Sequence, residues 1–508
     1  MSVTVSSILK HSSKFSGINL LTKVVNIPVT MLVAVVLSPK DFGIVGYAAL
    51  WFTYASWISI GMIDAASREI PSLIKQDRVE KARELQNISI TVDSIISFVL
   101  FIIFLFISFA QNDILIRNIM LLMTFGHLIG KLYNYLFNLN FLYLDFTLSA
   151  KGRLIYAFGY PIITLGLLFW LGIYSIVINS ILLSLIISIY FTRKRKYSLS
   201  LRLDKNEIIR MSKIGISLLL GTILYTMFTG LADRTVIAAY LSKEELGLYI
   251  FAYNFLLLFL EMFKDYCRVL KPAIWSESEI AYTPQEGFFP LKKMAVYFSL
   301  TAAFSIGFLQ LAFLFIINFI TVKFIGAGFI FLIIVSYIFW ESIEKFPEII
   351  LTSGKVNRQN AVAFIWGICL ALNIIFDIVV VYAGWGVVGV AFITTFSQAI
   401  SAVSMYFISS KYLFYNSSEY KTFLLKLLFP FLIPLLITII HWIAFGKINL
   451  LIIIPISIIM QLLLWIALIK IFYIEYFSKD LLKSAYEKIL TAVKNIYNKK
   501  IEIKNTTI

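Results

Sequence analysis

The sequence predicts an all-α polytopic membrane protein with about 14 transmembrane helices. Hydrophobic residues make up 60% of the 508 positions, charged residues make up only 14%, and the mean hydropathy is +0.88. Ordinary soluble domains carry about 25% charged residues, so this chain has too little charge to cover a water-exposed surface. Apolar runs recur from end to end at about 20 residues, the length that a helix needs to cross a bilayer core.

The apolar runs define fourteen spans, and both termini lie outside them. The spans cover residues 17–37, 42–63, 88–110, 114–143, 154–171, 173–191, 214–240, 245–263, 294–319, 328–351, 360–382, 386–408, 422–443 and 449–470. With the N-terminus in the cytoplasm, about 34 lysines and arginines fall on the cytoplasmic side and about five on the other, as the positive-inside rule requires. The sequence therefore predicts a multi-pass protein of the cytoplasmic membrane with both termini inside.

The basic charge is explained by this topology. The net charge of +16 comes mostly from cytoplasmic connections and from the C-terminal segment. Nucleic-acid binding is accordingly the weaker interpretation, and no nucleic-acid partner is expected. Membrane lipids are the expected surroundings.

Two short segments, 37–43 and 241–247, repeat nearly the same sequence and both lie between apolar runs. The second residue of each is a serine, Ser38 or Ser242, that is followed three residues later by a carboxylate. That spacing is typical of a capping box, which starts a helix by satisfying its first amides. A glycine closes each segment and allows close helix packing. The matched turns predict two six-helix halves built on one plan.

The domain organisation follows from the spans and the repeat. We expect an N-terminal lobe of six helices at 1–192, a basic cytoplasmic linker at 193–213, a C-terminal lobe of helices 7–12 at 214–410, helices 13 and 14 at 411–470, and a basic amphipathic tail at 471–508. The tail has apolar residues at every fourth position and lysines between them. This pattern is typical of a helix that lies on the anionic inner leaflet, and it also fits a helix docked on the cytoplasmic loops of the protein itself.

Polar residues form stripes inside two of the spans. The first span carries Asn19, Lys23, Asn26 and Thr30, and the fourth carries His127, Lys131, Asn134 and Asn138. Each set recurs on one face of a helix. Neither Lys23 nor Lys131 has an acidic residue within a helical turn, so both are predicted to line a water-filled cavity that attracts an anion. Lys23 also lies close enough to the cytoplasmic end to extend its ammonium group to the interface.

Acidic residues occur within three later spans. They are Asp233 next to Arg234, the set Glu341, Glu344 and Glu348 with Lys345, and Asp377 one turn after Asn373. Glu341 and Lys345 are spaced to pair on one helix face. Such residues either hold the bundle together or bind ions, and both interpretations stay open for them. Asp93, near the start of its span, is expected to be merely interfacial.

The motifs exclude several function classes. The sequence has no phosphate-binding loop, no HExxH motif and no spaced cluster of histidines and cysteines. No connection is long enough to hold an ATPase domain, so the protein is not expected to be an enzyme, and no cofactor is predicted. Transport by this chain would be driven by an ion gradient or would be passive.

The chain resembles the polysaccharide biosynthesis exporters of the multidrug/oligosaccharidyl-lipid/polysaccharide superfamily. The resemblance rests on four stretches: LSPKDFGIVGYA, its repeat LSKEELGLYIFAYNF, LTSGKVNRQN and GWGVVGVAFITTFSQAIS. It implies two six-helix lobes arranged as in multidrug-extrusion (MATE) transporters, as a V around a central cavity, with two further C-terminal helices. The implied activity is flipping of a polyprenyl-diphosphate-linked oligosaccharide, a repeat unit of surface polysaccharide such as O-antigen or exopolysaccharide, by alternating access.

The resemblance also implies roles for the polar residues. Lys23, Lys131 and Arg234, with His127 nearby, would meet the diphosphate or acidic sugars, and Asn19, Asn26, Asn134 and Asn138 would meet the hydroxyl groups. Glu341, Glu344 or Asp377 would bind the coupling proton or cation. A glycan polymerase or glycosyltransferases are possible partners. The alternatives are a MATE-like drug/cation antiporter, which would need an acidic cavity, and a scaffold for glycan enzymes, which would gain nothing from buried polar stripes.

Overall fold

The computed structural model of the protein describes residues 22, 25–143, 146–195, 200–280, 283, 285, 288–444 and 450–473. Within these ranges every regular element is a helix. The helices are α1 (Val25–Val36), α2 (Pro39–Ser56), α3 (Met62–Lys75), α4 (Val79–Phe109), α5 (Ile114–Leu142), α6 (Phe146–Leu171), α7 (Tyr174–Lys194), α8 (Lys205–Thr226), α9 (Ala232–Tyr240), α10 (Lys243–Ile280), α11 (Phe289–Phe315), α12 (Ala327–Ile334), α13 (Tyr337–Leu351), α14 (Gln359–Tyr382), α15 (Gly386–Leu413), α16 (Ser417–Leu428), α17 (Leu432–Ala444) and α18 (Leu450–Leu468).

The predicted all-α polytopic membrane class is confirmed. In the described residues, 11 helical segments are long and apolar enough to cross a membrane, or 12 if the bent pair Val25–Val36 and Pro39–Ser59 is one span. The number fourteen stays a prediction, because the first and last predicted spans run into residues outside the described ranges. The predicted tail, 471–508, lies almost entirely outside them as well.

The two repeated turns form the capping boxes that the sequence predicts. Ser38 accepts a hydrogen bond from the amide of Asp41 at 3.2 Å, and the Asp41 carboxylate accepts one from the amide of Ser38 at 2.9 Å. Ser242 and Glu245 make the same two bonds, at 3.1 and 3.0 Å. Each turn therefore satisfies amides that would lack partners at the start of α2 or α10. We call the end of the bundle that holds these turns the cap end.

Helices α2 and α10 cross at the cap end with their backbones in contact. A Cβ atom on Gly43 would overlap the carbonyl oxygen of Lys243, and one on Gly247 would overlap that of Pro39. Glycine is required at both positions because the backbone of the other helix fills the space that a side chain would need. The sequence repeat thus brings equivalent helices of the two halves together.

We expect Gly43→Leu to destabilise the protein by about 3 kcal/mol or more, since overlap with backbone cannot be relieved by rotating a side chain. Gly367→Ala is the matched control, because a Cβ atom there has no atom within 4 Å and alanine favours the helix by up to about 1 kcal/mol. Thermal unfolding of the two purified variants measures the difference. Equal melting temperatures would contradict the close crossing.

Buried apolar side chains form two main clusters. The larger one joins α1 and α2 to the helices from α9 onward, and the smaller one lies among α3–α7 and the start of α8. The first two helices therefore share a core with the second half of the chain. This contact holds the two halves together at the cap end.

The seventh predicted span, 214–240, is broken between α8 and α9. Thr229 and Gly230 leave the helical conformation, with a φ of +106° at Gly230. Glycine adopts this left-handed backbone at low cost. The Tyr253 hydroxyl donates a hydrogen bond to the carbonyl of Thr229, which satisfies an acceptor that the broken helix exposes.

The two parts of this span have different neighbours. α8 packs against α3, and Arg210 near its start binds Glu69 through two hydrogen bonds of 2.6 and 2.8 Å. Gly61 and Gly215 are in backbone contact beside this ion pair. α8 also contacts α14, and α9 packs against α10 and α14. One span therefore connects the first group of helices, α1–α7, to the second group, α9–α18. The break in this span separates the part that contacts α3 from the part that contacts α10. We call the end that holds Arg210 the basic end.

Several helices extend beyond the predicted spans at the basic end. α4 begins at Val79 rather than 88, α8 begins at Lys205 rather than 214, and α10 runs to Ile280 rather than 263. Hydropathy marks only the apolar part of a helix, and these polar extensions contain good helix formers. Helix α3 was not predicted, because a short amphipathic helix with one buried face has no long apolar run.

Candidate functional site

A cavity of about 450 Å³ lies between the first and second groups of helices, and we call it the central cavity. Its wall comes from α1, α2, α6, α7, α9, α10 and the break before α9. The polar members of this wall are Thr30, Thr53, Tyr160, Arg234 and Asn254. Arg234 is the one charged residue among the described residues that line it, and no described carboxylate does. The cavity is therefore positively charged at one point and otherwise apolar or neutral.

Arg234 has an unused hydrogen-bonding group. Its guanidinium carbon lies 4.6 Å from the centre of the Tyr253 ring, and its Nε atom is buried without a hydrogen-bond partner. In the described part of the chain it forms no salt bridge, although Asp233 is its neighbour. A planar guanidinium with free N–H groups binds phosphate oxygens through paired hydrogen bonds. The geometry thus provides an anion-binding group in the cavity wall.

The preceding residue, Asp233, belongs to a separate buried site. Its carboxylate accepts hydrogen bonds from the Tyr249 hydroxyl at 2.6 Å and from the Asn373 amide at 3.1 Å. The same amide lies 2.7 Å from the Asp377 carboxylate. Both aspartates and Asn373 are 0% exposed. The structure therefore places Asp233 of the seventh predicted span in one hydrogen-bonded cluster with Asn373 and Asp377 of the eleventh.

This site has more acceptor oxygens than donors. Oδ1 of Asn373 and Oδ1 of Asp377 are buried without hydrogen-bond partners. Two neighbouring carboxylates in an apolar environment strongly disfavour being ionised together. A shared proton or a small hard cation, which prefers oxygen ligands, would relieve the repulsion and use the free oxygens. The site can therefore take up a positive ion.

A second group of charges lies on α10 and α13, beside Tyr225 of α8. The predicted pair of Glu341 and Lys345 is confirmed at 3.1 Å, and Glu341 also approaches Lys264 at 3.5 Å. The Tyr225 hydroxyl donates to Glu341 at 2.8 Å, and Lys345 lies 2.9 Å from Glu348. Buried charges are tolerated when paired in this way. Glu341 is therefore part of an ion-pair network.

Glu344 is buried beside this network and differs from Glu341 in its partners. It accepts hydrogen bonds from Trp366 at 2.8 Å, from Ser401 at 2.9 Å and from the side-chain amide of Gln398. In the described residues no cation lies within salt-bridge distance of it. Its oxygens are thus held by neutral donors.

Lys131 is not isolated, contrary to the sequence-based expectation. Its ammonium lies 3.2 Å from the carboxylate of Asp93 on α4, and the two side chains are 17% and 6% exposed. Asp93 is therefore buried and paired with Lys131, and its position at the membrane interface stays a prediction. The two residues lie on adjacent helices and are far apart in sequence, so no spacing rule for one helix could pair them. Lys131 therefore compensates a buried acid.

We expect Lys131→Ala to destabilise the protein by about 3–5 kcal/mol, because it leaves Asp93 buried without a counter-charge. The double variant Lys131→Met/Asp93→Leu, which removes both charges, should recover most of the stability. Thermal unfolding and purification yield measure both effects. A stable Lys131→Ala protein that binds no substrate would instead assign the lysine to substrate binding.

The remaining predicted site residues lie in different settings. His127 contacts the rings of Phe52 and Phe104, and its Nε2 atom is buried without a partner. Asn134 is exposed, and Asn138 lines a small cavity that does not include Arg234.

The stripe on the first span is described only in part. Oδ1 of Asn26 is buried without a hydrogen-bond partner, and Thr30, one turn later, lines the central cavity. Asn19 and Lys23 lie outside the described residues. The predicted anion-binding stripe of this helix therefore stays a prediction.

Sequence reasoning missed several residues of these sites. Asn254 carries no charge, and Tyr225 and Trp366 resemble ordinary aromatic residues of a membrane helix. Lys264 and Lys271 follow the apolar part of α10 and so looked like cytoplasmic residues. The only available signal was the unbroken run of helix formers after the predicted end of that span.

Comparison with known proteins supports the fold. The family described as polysaccharide biosynthesis protein matches residues 11–277, more than half of the chain. No curated protein matches the sequence. The chain is similar in structure to the lipid II flippase MurJ in an inward closed conformation, with a TM-score of 0.69 and 14% identity over 91% of this chain and 99% of that one.

Two transporters of the MOP superfamily are also similar in structure. One is a multidrug resistance MATE family transporter in an inward-facing conformation, with a TM-score of 0.62 and 11% identity over 81% of this chain and 96% of that one. The other comes from Pyrococcus furiosus and is described as having a binding pocket of reverse polarity, with a TM-score of 0.58, 11% identity and the same coverage. At such identities the likeness shows a shared fold, which confirms the predicted MATE-like arrangement.

Proposed function

The chain belongs to the polysaccharide biosynthesis protein family, and on that premise we propose that it flips a polyprenyl-diphosphate-linked oligosaccharide across the cytoplasmic membrane. The glycan would be a repeat unit of a cell-surface polysaccharide. It would pass from the cytoplasmic to the outer leaflet while the lipid tail stays in the bilayer.

The charge of the central cavity is the observation that carries this proposal. Arg234 lies in its wall with a free N–H group and no ion-pair partner among the described residues. A diphosphate offers several acceptor oxygens and more than one negative charge, which suits a guanidinium better than any other side chain. Lys23, predicted from the sequence to line the same region, would add a second cation. Asn26 and Asn254 would meet hydroxyl groups.

Alternating access needs contacts that open at one end while others close. The glycine crossing of Gly43 and Gly247 closes the cap end, which the topology assigns to the outside. The contact of Gly61 with Gly215 and the ion pair of Arg210 with Glu69 hold the basic end. The break at Gly230 lets the two parts of one span move separately. These features support exchange between inward-open and outward-open states.

Ion coupling would use the buried aspartate pair. Asp233 and Asp377 share the Asn373 amide, and Oδ1 of Asp377 and Oδ1 of Asn373 have no hydrogen-bond donor. A proton or a monovalent cation bound there would remove the repulsion between them. Arg234 directly follows Asp233 on α9. An ion bound beside Asp233 can therefore affect the position of Arg234 in the wall of the central cavity. Glu341 and Glu344, whose bonding needs are met, are weaker candidates.

A drug/cation antiporter of the same fold is the second candidate. The observation in its favour is the same buried aspartate pair, which could accept a proton in exchange for a cationic drug. Against it stands the central cavity, whose described lining holds an arginine and no carboxylate. A cationic drug would be repelled there, so the flippase is the better-supported function.

Disruption of the gene tests the proposal. We expect loss of surface polysaccharide, with accumulation of its lipid-linked precursor, and native mass spectrometry of the purified protein should detect a co-purified polyprenyl diphosphate species. Unchanged polysaccharide together with increased drug sensitivity would favour the antiporter. A glycan polymerase or glycosyltransferases encoded nearby would be the proposed partners.

A further inference from the structure

A second cavity, of about 320 Å³, lies within the second group of helices, and we call it the α13 pocket. Its wall includes Tyr225 of α8, Lys264 of α10, Lys345 and Glu348 of α13 and Trp366 of α14. None of these residues lines the central cavity. The helix extensions at the basic end contribute to its wall, so the pocket lies towards the predicted cytoplasmic side. It is a separate compartment of the transporter.

The two aromatic residues form one surface in this pocket. The ring centres of Tyr225 and Trp366 are 4.9 Å apart, and both side chains are partly exposed. The indole N–H of Trp366 is fixed by its hydrogen bond to Glu344. The Tyr225 hydroxyl is fixed by Glu341. Because these bonds hold the polar atoms of both rings, their orientation is set before any ligand arrives.

The charged residues of the pocket carry both signs. Lys345 bridges Glu341 and Glu348 at 3.1 and 2.9 Å, and Lys271 approaches Glu348 at 3.4 Å. These groups are fixed by one another. Lys345 directs its three donors to Glu341, Glu348 and the Tyr225 hydroxyl, whereas Lys271 retains donors and Glu348 retains accepting lone pairs. Glu348 and Lys271 keep 16% and 30% of their side-chain surface exposed. The wall therefore offers donors and acceptors side by side, next to an aromatic surface.

This composition discriminates between ligand classes. A free diphosphate would have to displace carboxylates that already hold the lysines, whereas a hydroxyl-rich ring can donate to glutamate and accept from lysine at once. The apolar face of such a ring would lie against Trp366, because the ammonium groups of Lys345 and Lys264 already lie over the Tyr225 ring, at 4.7 and 5.3 Å from its centre. Concave sites with aromatic walls and a few fixed polar groups are typical of small-ligand pockets. The pocket thus fits a carbohydrate better than a phosphate.

We propose that the α13 pocket binds the first sugars of the transported lipid-linked glycan. This inference rests on the proposed flippase function. Tyr225 and Arg234 lie nine residues apart on one span, on either side of the break at Gly230; an unbroken helix would separate them by about 14 Å. A diphosphate at Arg234 and the sugars that follow it could therefore occupy both sites together.

Binding measurements with three defined lipids test this proposal. The probes are a polyprenyl diphosphate without sugar, the same lipid carrying N-acetylglucosamine, and the same lipid carrying a hexuronic acid. We expect the full-length protein in detergent to bind the N-acetylglucosamine lipid about tenfold or more tighter than the sugar-free lipid. Trp366→Leu should reduce that preference to about twofold or less without changing the affinity for the sugar-free lipid.

Three further variants separate the possible causes. Trp366→Phe, which keeps an aromatic ring, should preserve most of the preference, and Glu348→Gln should raise the relative affinity for the hexuronic acid lipid. Trp385→Leu is the matched control, since that tryptophan is 62% exposed and lies beyond the end of α14, 19 residues after Trp366. Melting temperatures identify any variant that fails to fold. If Trp366→Leu does not fold, the change of lipid preference caused by Glu348→Gln tests the sugar-binding assignment.

The outcomes are distinguishable. Equal weakening of all three lipids by Trp366→Leu, or no preference in the unaltered protein, overturns the sugar-binding assignment while leaving the flippase proposal intact. If none of the three lipids binds to the unaltered protein, the flippase proposal itself fails. A preference that the pocket variants abolish selectively supports the assignment.

Discussion

Replacing Arg234 with alanine is expected to lower the affinity for a polyprenyl-diphosphate-linked sugar by about 10- to 100-fold. Hydrogen bonds to charged groups contribute about 1.5–3 kcal/mol each, and this guanidinium is the one charged group in the described wall of the central cavity. The loss should be the same for lipids with different sugars, because the contact is to the diphosphate. Binding to the purified variant in detergent measures it.

Two variants control the Arg234 experiment. Arg234→Lys keeps the charge and loses the planar pair of donors, so we expect an intermediate affinity. Lys411→Ala removes a cation from an exposed position on α15 and should leave binding unchanged. Full affinity in Arg234→Ala protein would show that the diphosphate binds elsewhere, with the region of Lys23 as the next candidate.

Replacing Asp377 with asparagine is expected to abolish ion-driven transport while substrate binding persists. The substitution keeps the shape of the side chain and removes one of the two charges that a bound ion would neutralise. In the unaltered protein, an ion that binds the folded state should raise the melting temperature as its concentration rises. In Asp377→Asn protein this response should be lost, because the site no longer needs a positive ion.

The identity of the ion follows from two titrations of the same proteins. Melting temperatures are compared in sodium chloride and choline chloride at constant pH, and then across pH at constant salt. An increase of the melting temperature in sodium chloride that Asp377→Asn abolishes indicates a cation. An increase of the melting temperature on lowering the pH that Asp377→Asn abolishes indicates a proton. Asp64, which lies near the basic end outside this site, supplies the control variant Asp64→Asn. If Asp377→Asn and unaltered protein respond alike, the aspartate pair is not the coupling site.

Local features of the fold were predictable because their cause is local. The capping boxes at Ser38 and Ser242 need only a serine and a carboxylate three residues apart. The pair of Glu341 with Lys345 needs only one helical turn. Membrane spans were predictable from apolar length, although the polar extensions of α4, α8 and α10 were not.

The sites were harder to predict because they depend on contacts between distant segments. Lys131 meets Asp93 across two helices, and Asp233 meets Asn373 from opposite ends of the second half. A sequence stripe shows which face of one helix is polar, but the partner decides whether a charge on it is free or compensated. That is why Arg234 could be predicted as a charge in the bundle, whereas the isolation expected of Lys131 was wrong.

Reconstituted flipping is the most direct measurement of the central claim. The full-length protein is placed in vesicles with polyprenyl-diphosphate-linked N-acetylglucosamine, and exposure of the sugar on each leaflet is followed with a membrane-impermeant reagent. The proposed function predicts ion-gradient-dependent transfer between leaflets, lost in Arg234→Ala and Asp377→Asn and retained in Lys411→Ala. Transfer at the rate of protein-free vesicles, or equal transfer by all three variants, would contradict it.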